Sequence, residues 1–350
     1  FAIPKEDVVP CVPEKFTDFA SLIPGTEESY IFPMTAYGEM EYKRMYREAR
    51  FGVKKRRAGW ETMRIYEILA SGSVPYIHAA DEIPDAALVF VNKTLLRAAR
   101  RMVDDIGSPA GQPESGAPIL KNLDEIQYAS LAAELLRHTQ QRLTTEALAN
   151  YVLASFGKRV SRALYVSGCF HGDYLCYVSL HGLRRVLGTK LVDYPLLEYM
   201  YSPKDVAPMQ SISRSTTCPQ SQCTVLSGGL GDGGAPQFAI RGWGANVPVY
   251  GGGFSYAYRL EQLERFNRSR AAINAQVSKR QFDMVIFPNA YLALGEGSRE
   301  VQLLVKHVLK HYSPNEIIIL DGRDPEQNDV LPPGAADLSK KGYMYFLREA

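Results

Sequence analysis

Along the chain, large apolar residues recur at helical spacing, then in short strand-like runs, and the alternation repeats. After a Pro-containing, aromatic-rich entry, Met40-Glu41-Tyr42-Lys43-Arg44-Met45-Tyr46 has the helical spacing of large apolar groups. Phe51-Gly52-Val53 reads as a short strand and Lys54-Lys55-Arg56-Arg57-Ala58-Gly59 as a basic loop. Residues 60–70 read as a helix packed through Trp60, Met63, Ile68 and Leu69, with Gly72 closing it as a C-cap residue would. Val74-Pro75-Tyr76-Ile77 is a candidate buried strand, in which Pro75 needs its missing donor placed off the ladder, at the strand start for example. Strand, loop, helix and strand in that order is an α/β rhythm.

A charged helical piece over residues 93–103 leads into Gly107-Ser108-Pro109-Ala110-Gly111-Gln112-Pro113, the first linker-like stretch. Residues 125–156 are strongly helical, with a break at Leu143-Thr144-Thr145-Glu146 where a threonine can cap a second helix. A boundary is expected at Gly157-Lys158-Arg159, because an α/β cycle restarts there. The expected domains are 1–157 and 158–350.

In the second domain, residues 162–168 read as strand and turn, 174–187 as helix and 190–193 as strand. Residues 195–254, rich in Ser, Cys, Pro and Gly, break the rhythm and read as a long irregular insertion. Order returns with a helix over 260–279, a strand over 282–287, a helix over 299–312 and a strand over 316–321. Tyr343-Met344-Tyr345-Phe346-Leu347 adds a final strand. A continuous apolar run such as Ile317 to Leu320 suits a parallel strand covered on both faces, so this domain is expected to be Rossmann-like.

Composition narrows the class. With 350 residues, 46% hydrophobic and 22% charged, the chain reads as an ordinary globular protein of about two domains. Low-complexity disorder and a small disulfide scaffold are excluded. A formal charge of +2 gives no case for wholesale attraction to nucleic acid or membrane. The basic cluster from Lys43 to Arg57 is short and lies in no globally basic domain, so no nucleic acid is expected as a partner. No apolar run approaches about eighteen residues, so no transmembrane segment is expected. Because the chain begins at Phe1, targeting is not readable from it.

The five cysteines, Cys11, Cys169, Cys176, Cys218 and Cys223, are odd in number and irregularly spaced. That argues against a fully paired framework and leaves partial pairing open. Without a close Cys-x-x-Cys pair, buried or loop thiols are the stronger reading beside structural zinc, and no metal site is expected.

The segment from Phe51 to Pro75 is the most informative. A basic, glycine-bearing loop opening onto a helix N-terminus offers N–H donors, a favourable dipole and mobile cations, which suit a pyrophosphate. Arg64 and Glu67, three apart, share a helix face. The arginine can clamp phosphate oxygens and the glutamate can accept ribose hydroxyls; the same two residues can equally be a surface ion pair on a packing helix.

This stretch resembles the C-terminal signature of the exostosin-like glycosyltransferases, through Gly59, Trp60, Arg64, Tyr66, Glu67, Leu69, Gly72, Val74 and Pro75. Asp85, Lys93 and the Leu143-Thr144-Thr145-Glu146-Ala147-Leu148-Ala149 helix extend the likeness weakly over residues 30–155. The resemblance implies an α/β fold of two Rossmann-like domains (GT-B-like), with residues 1–157 holding a nucleotide-diphosphate sugar. The implied binding set is Lys55, Arg57, Gly59, Trp60, Arg64, Glu67 and Gly72, with Arg64 on the diphosphate and Glu67 on the ribose. No further cofactor is implied, nor does the reaction call for a divalent metal. By family resemblance the compartment would be the Golgi lumen. Two departures stand out: Glu61 replaces a common aspartate and Ile65 a common histidine.

Ser167-Gly168-Cys169-Phe170-His171-Gly172-Asp173 ends the first strand of the second domain, where open α/β sheets bind ligands. His171 and Asp173 are the nominated general-base pair, with Asp321-Gly322-Arg323-Asp324 in a comparable place. The plainer reading is that these are strand-to-helix turns with Asp173 as an N-cap. His307 and His311, four apart, lack a third ligand, and His181 reads as a packing residue. Gly228 to Gly234 reads as a flexible turn.

Two functions follow. One is a glycosyltransferase moving a sugar from a nucleotide-diphosphate sugar to a glycan or protein acceptor. The alternative is a glycosyltransferase-like structural subunit that has lost catalysis and sits among the protein subunits of a larger assembly. A processed amino terminus at Phe1 would fit a mitochondrial location for that subunit, and long unpatterned insertions such as 195–254 are often binding segments.

Overall fold

The computed structural model describes residues 1–24, 32, 35–57, 59–106, 122–168, 174–202, 254–261, 269–323 and 334–348. The linker-like stretch from Gly107 to Pro113, the loop 169–173, the glycine run 228–234 and most of the expected insertion lie outside them. The chain divides into two compact units. One comprises residues 2–144 and 209–257; the other comprises Phe1, 145–208 and 258–350. Both are α/β with parallel sheets.

The first unit contains β1 (Thr17–Phe19), α1 (Ala36–Glu48), β2 (Ala49–Val53), α2 (Met63–Ala70), β3 (Val74–Tyr76), α3 (Lys93–Asp104) and α4 (Glu125–Arg142). Its sheet has the order β1-β2-β3 and is parallel throughout. Successive residues of β2 face opposite sides. Phe51 stacks 5.5 Å from Tyr128 of α4, whereas Gly52 lies so close to α2 that an added Cβ would be 2.7 Å from Ile68. The sheet is thus covered on both faces, as parallel strands require. Pro75 sits in the middle of β3, paired with Gly52, and is tolerated because β3 is an edge strand.

Helix α2 starts at Met63, three residues after the expected Trp60. The indole is buried in the preceding loop, with Lys54 Nζ and the Arg56 guanidinium each 5.3 Å from its ring centre. Thr62 is still extended, with φ −136° and ψ 153°, so helical geometry begins only beyond it. At the other end Gly72 takes φ +68°, and a Cβ there would lie 2.7 Å from Pro13 Cδ. Glycine is therefore the residue that closes α2, as its sequence position suggests.

At the amino edge of this sheet, Lys15 Nζ donates to the Arg47 carbonyl at 2.9 Å and to Ser73 Oγ at 3.2 Å. Ser73 in turn donates to the carbonyls of Ala49, at 2.6 Å, and Tyr46. These two side chains satisfy the carbonyls exposed where α1 runs directly into β2. Burial, then the nearby Arg50, push the Lys15 amine down to about 7.

The second unit contains α5 (Thr145–Phe156), β4 (Ala163–Val166), α6 (Tyr174–Leu187), β5 (Leu191–Tyr194), α7 (Arg270–Ser278), β6 (Met284–Phe287), α8 (Ala290–Leu294), α9 (Arg299–His311), β7 (Ile317–Asp321), α10 (Ala335–Lys340) and β8 (Met344–Leu347). Its five parallel strands run β5-β4-β6-β7-β8. Leu164 and Val166 join the core under α7 and α9, while Tyr165 points the other way and donates to the Cys176 carbonyl of α6 at 2.6 Å. Helices on both faces make this a doubly wound sheet. The helix expected over 260–279 is described only from Arg270, where Ser269 Oγ accepts from Ala272 N; Leu260 instead forms a bridge with Tyr201.

Helix α5, assigned from sequence to the first domain, packs on α6 within the second unit. Thr145 Oγ1 and His181 Nδ1 are 2.8 Å apart, and a Cβ on Gly182 would fall 2.0 Å from the Thr145 carbonyl oxygen. His181 is the satisfied packing residue that its place on a helix suggests.

Cys11 and Cys176 are each in a disulfide, which replaces the expectation of buried or loop thiols for both. No helix among the described residues is long and apolar enough to cross a membrane.

Two outcomes are expected. Gly182→Ala raises helix propensity by about 1 kcal/mol but forces α6 off α5, so chemical denaturation should show a net loss of about 2 kcal/mol; a gain in stability would refute the close packing. Reducing the disulfides should cost about 2–4 kcal/mol, read as a lower melting temperature with reductant than without.

Candidate functional site

The chain leaves the carboxyl end of β2 through Lys54, Lys55, Arg56 and Arg57 and enters α2 at Met63. This loop and the first turn of α2 therefore lie at the carboxyl edge of the sheet, the edge at which open α/β sheets bind ligands. Lys54 is buried, Lys55 is half-buried, and Arg56 and Arg57 are exposed. The Arg57 amide donates to the Gly59 carbonyl at 3.2 Å, which tightens the loop.

The structure brings Arg64 and Glu67 together on one face of α2. Arg64 Nη1 donates to the Leu22 carbonyl, just beyond β1, at 3.0 Å. Glu67 Oε2 accepts from the Tyr42 hydroxyl of α1. Among the described residues no donor reaches the other carboxylate oxygen, Oε1. Glu67 lines a narrow cleft together with Asp7, Tyr42, Lys43 and Phe254 and, at the carboxyl-terminal end of α2, Ala70 and Ser71; Arg64 and the basic loop are not part of this lining.

The electrostatics of the cleft are set by burial. Burial raises the Glu67 carboxyl above its ordinary range; the Tyr42 hydrogen bond and the charges of Arg64 and Lys43 pull it back down, and Glu39 adds to the rise. Burial, then the Glu67 charge, hold the Tyr42 phenol well above its usual range. Lys43 Nζ pairs with Asp7 at 2.5 Å and Glu39 at 2.7 Å, and lies 5.2 Å from the centre of the Phe254 ring. Ser255 Oγ donates to Glu39 at 2.7 Å.

The remaining nominated residues are dispersed. Trp60 is buried beneath its two cations and Gly59 is buried beside it, while Gly72 lies at the far end of α2, where it shapes the turn. Glu61 accepts from Tyr66 at 2.5 Å inside the unit. Tyr42, Asp7, Lys43 and Phe254 were not singled out as site residues by the sequence. The available signal was the i, i+4 pair Tyr42 and Tyr46, which shares a helix face and was read only as packing.

In the second unit, the strand order puts a topological switch point between β4 and β6. Asn289 Nδ2 donates there to the Gly168 carbonyl at 2.6 Å, and Asn289 Oδ1 accepts from Leu292 N at 3.1 Å. Ser167 Oγ is buried and has no hydrogen-bond partner among the described residues. His171 and Asp173, the nominated general-base pair, lie outside the described residues. Asp321 is held by Arg323 at 2.6 Å and by Tyr345, a closed ion pair at the end of β7. The rings of His307 and His311 are 4.7 Å apart, but His307 Nε2 contacts Ser278 Oγ at 3.0 Å and the Asn274 carbonyl at 3.1 Å. Among the described residues no group of three or more His, Cys, Asp or Glu could hold a metal ion.

No family model, curated protein or solved structure matches the chain.

Glu67 generates a pH prediction. Its folded pKa is raised, so the native state holds a proton that the unfolded chain has released, and stability falls as pH rises from the ordinary carboxylate range through the folded value. Glu67→Gln keeps an acceptor for Tyr42 and removes the titration. It should match wild type near pH 4 and exceed it at pH 7 in thermal melts, whereas equal stability at both pH values would contradict the assignment.

Proposed function

We propose that the chain is a glycosyltransferase whose first unit binds a nucleotide-diphosphate sugar. The observation that carries this reading is the half-bonded Glu67 carboxylate, which lines a cleft; Arg64, one turn earlier on α2, and Lys55, Arg56 and Arg57, in the loop that leads to that helix, lie outside the lining of the cleft. A carboxylate with a free oxygen suits a sugar hydroxyl, and guanidinium and ammonium groups suit a diphosphate. The likeness of Gly59 to Pro75 to the exostosin-like signature points the same way, and the second Rossmann-like unit would complete a GT-B arrangement. Such a site works by positioning the donor and stabilising the charge of the departing diphosphate. The disulfides on Cys11 and Cys176 favour an oxidising compartment, which agrees with a Golgi-lumenal enzyme better than with the mitochondrial alternative.

A second reading has one observation in its favour. Arg64 already donates to the Leu22 carbonyl within its own unit, as it would in a structural subunit with no ligand to hold. Native mass from the source separates the readings, since a free monomer or small oligomer speaks against the subunit.

Calorimetry with a panel of uridine and guanosine diphosphate sugars tests the enzyme reading directly. Arg64→Ala and Glu67→Ala should each cost about 2–3 kcal/mol of donor affinity. A wild-type protein that binds no member of the panel sinks the proposal.

A further inference from the structure

Glu67 is a carboxylate with two unequal oxygens. Oε2 is taken by the Tyr42 hydroxyl. Oε1 has no donor among the described residues and belongs to a side chain that lines the cleft. A carboxylate placed by α2 alone would be free to turn about its terminal torsion, which is broad and two-fold. A single fixed donor on one oxygen removes that freedom and sets the direction of the other.

Tyr42 is itself fixed. Its ring makes edge-on contacts with Phe32 and Tyr46, at 5.5 and 5.4 Å between centres, so its hydroxyl is a rigid donor. The charged groups around the pair come from every packed element: Lys43 and Glu39 from α1, Arg64 from α2 itself, and Asp7 from the amino-terminal segment. Lys43 is shared between Asp7 and Glu39, and Arg64 is drawn to Leu22. Tyr42 alone among these groups hydrogen-bonds the Glu67 carboxylate.

We propose that Tyr42 is the positioning residue of Glu67: by donating to Oε2 it turns the carboxylate so that Oε1 is presented to a hydroxyl group of a ligand in the cleft. The ligand class, a nucleotide sugar offering its ribose hydroxyls, rests on the function proposed above; the hold of Tyr42 on Glu67 does not. The hydrogen bond also favours the ionised carboxylate. Tyr42 therefore does two things for the ligand, fixing the direction of the acceptor and keeping its charge.

The experiment has two arms on the full chain. In the first, the Glu67 carboxyl is followed by carbon-13 NMR and assigned by its disappearance in Glu67→Gln. Tyr42→Phe should move its titration upward by about one pH unit; an unchanged titration overturns the proposal whether or not any ligand binds. In the second, affinity for uridine and guanosine diphosphate sugars is measured by calorimetry. Tyr42→Phe should weaken binding about tenfold, because the acceptor oxygen is no longer aimed. The same substitution in a Glu67→Ala background, which has no carboxylate to aim, should have no further effect. A loss that persists undiminished in the Glu67→Ala background would mean that Tyr42 only packs and would overturn the proposal. If no variant binds a nucleotide sugar while the titration shifts as expected, the glycosyltransferase reading fails and the hold of Tyr42 on Glu67 stands.

Discussion

Every described strand pair in the protein is parallel, and a parallel strand has to be covered on both faces. That constraint sets the course of the chain, because each strand must be followed by a crossover long enough to return to the same edge of the sheet. In the first unit it makes α2 part of the cover of the sheet. The inner face of α2 carries Ile68 against Gly52 of β2, so closely that no side chain fits on Gly52. The same eight-residue helix also carries Arg64 and Glu67. Any ligand chemistry at this helix is therefore anchored by the core packing that holds the sheet together.

The two edges of that sheet treat charge differently. At the amino edge, Lys15 and Ser73 close the carbonyls between α1 and β2, and the lysine sits so deep that its amine is brought down to about 7. At the carboxyl edge Arg56 and Arg57 are exposed and Lys55 is half-buried, and no acidic residue interrupts the run from Lys54 to Arg57.

Much of the fold was legible because the responsible signals are local. The apolar runs at Ile317 to Leu320 and Ala163 to Val166 became central strands, and the break at Leu143 to Glu146 became the junction of α4 and α5. Gly72 announced its left-handed turn. What was misread depended on distant partners. Trp60 has good helical spacing, but two cations hold its ring in the loop. Helix α5 continues the first domain in sequence, yet Gly182, some forty residues on, is the surface that admits it. The disulfide state of Cys11 and Cys176 was equally beyond reach of spacing, since an odd count leaves pairing open.

The candidate site follows the same rule. Arg64 and Glu67 were found together because three residues on a helix make one face, whatever surrounds it. Their partners Tyr42 and Leu22 lie on α1 and beyond β1, and only folding brings them near. Those partners decide what the pair can do. An arginine and a glutamate three apart on an exposed helix would bond each other and little else. Here the arginine is drawn to a backbone carbonyl and the glutamate to a tyrosine, so the two charges are held apart and the carboxylate keeps one oxygen unbonded. That separation is what distinguishes a receptive pair from a closed one such as Arg323 and Asp321, which spend their charges on each other.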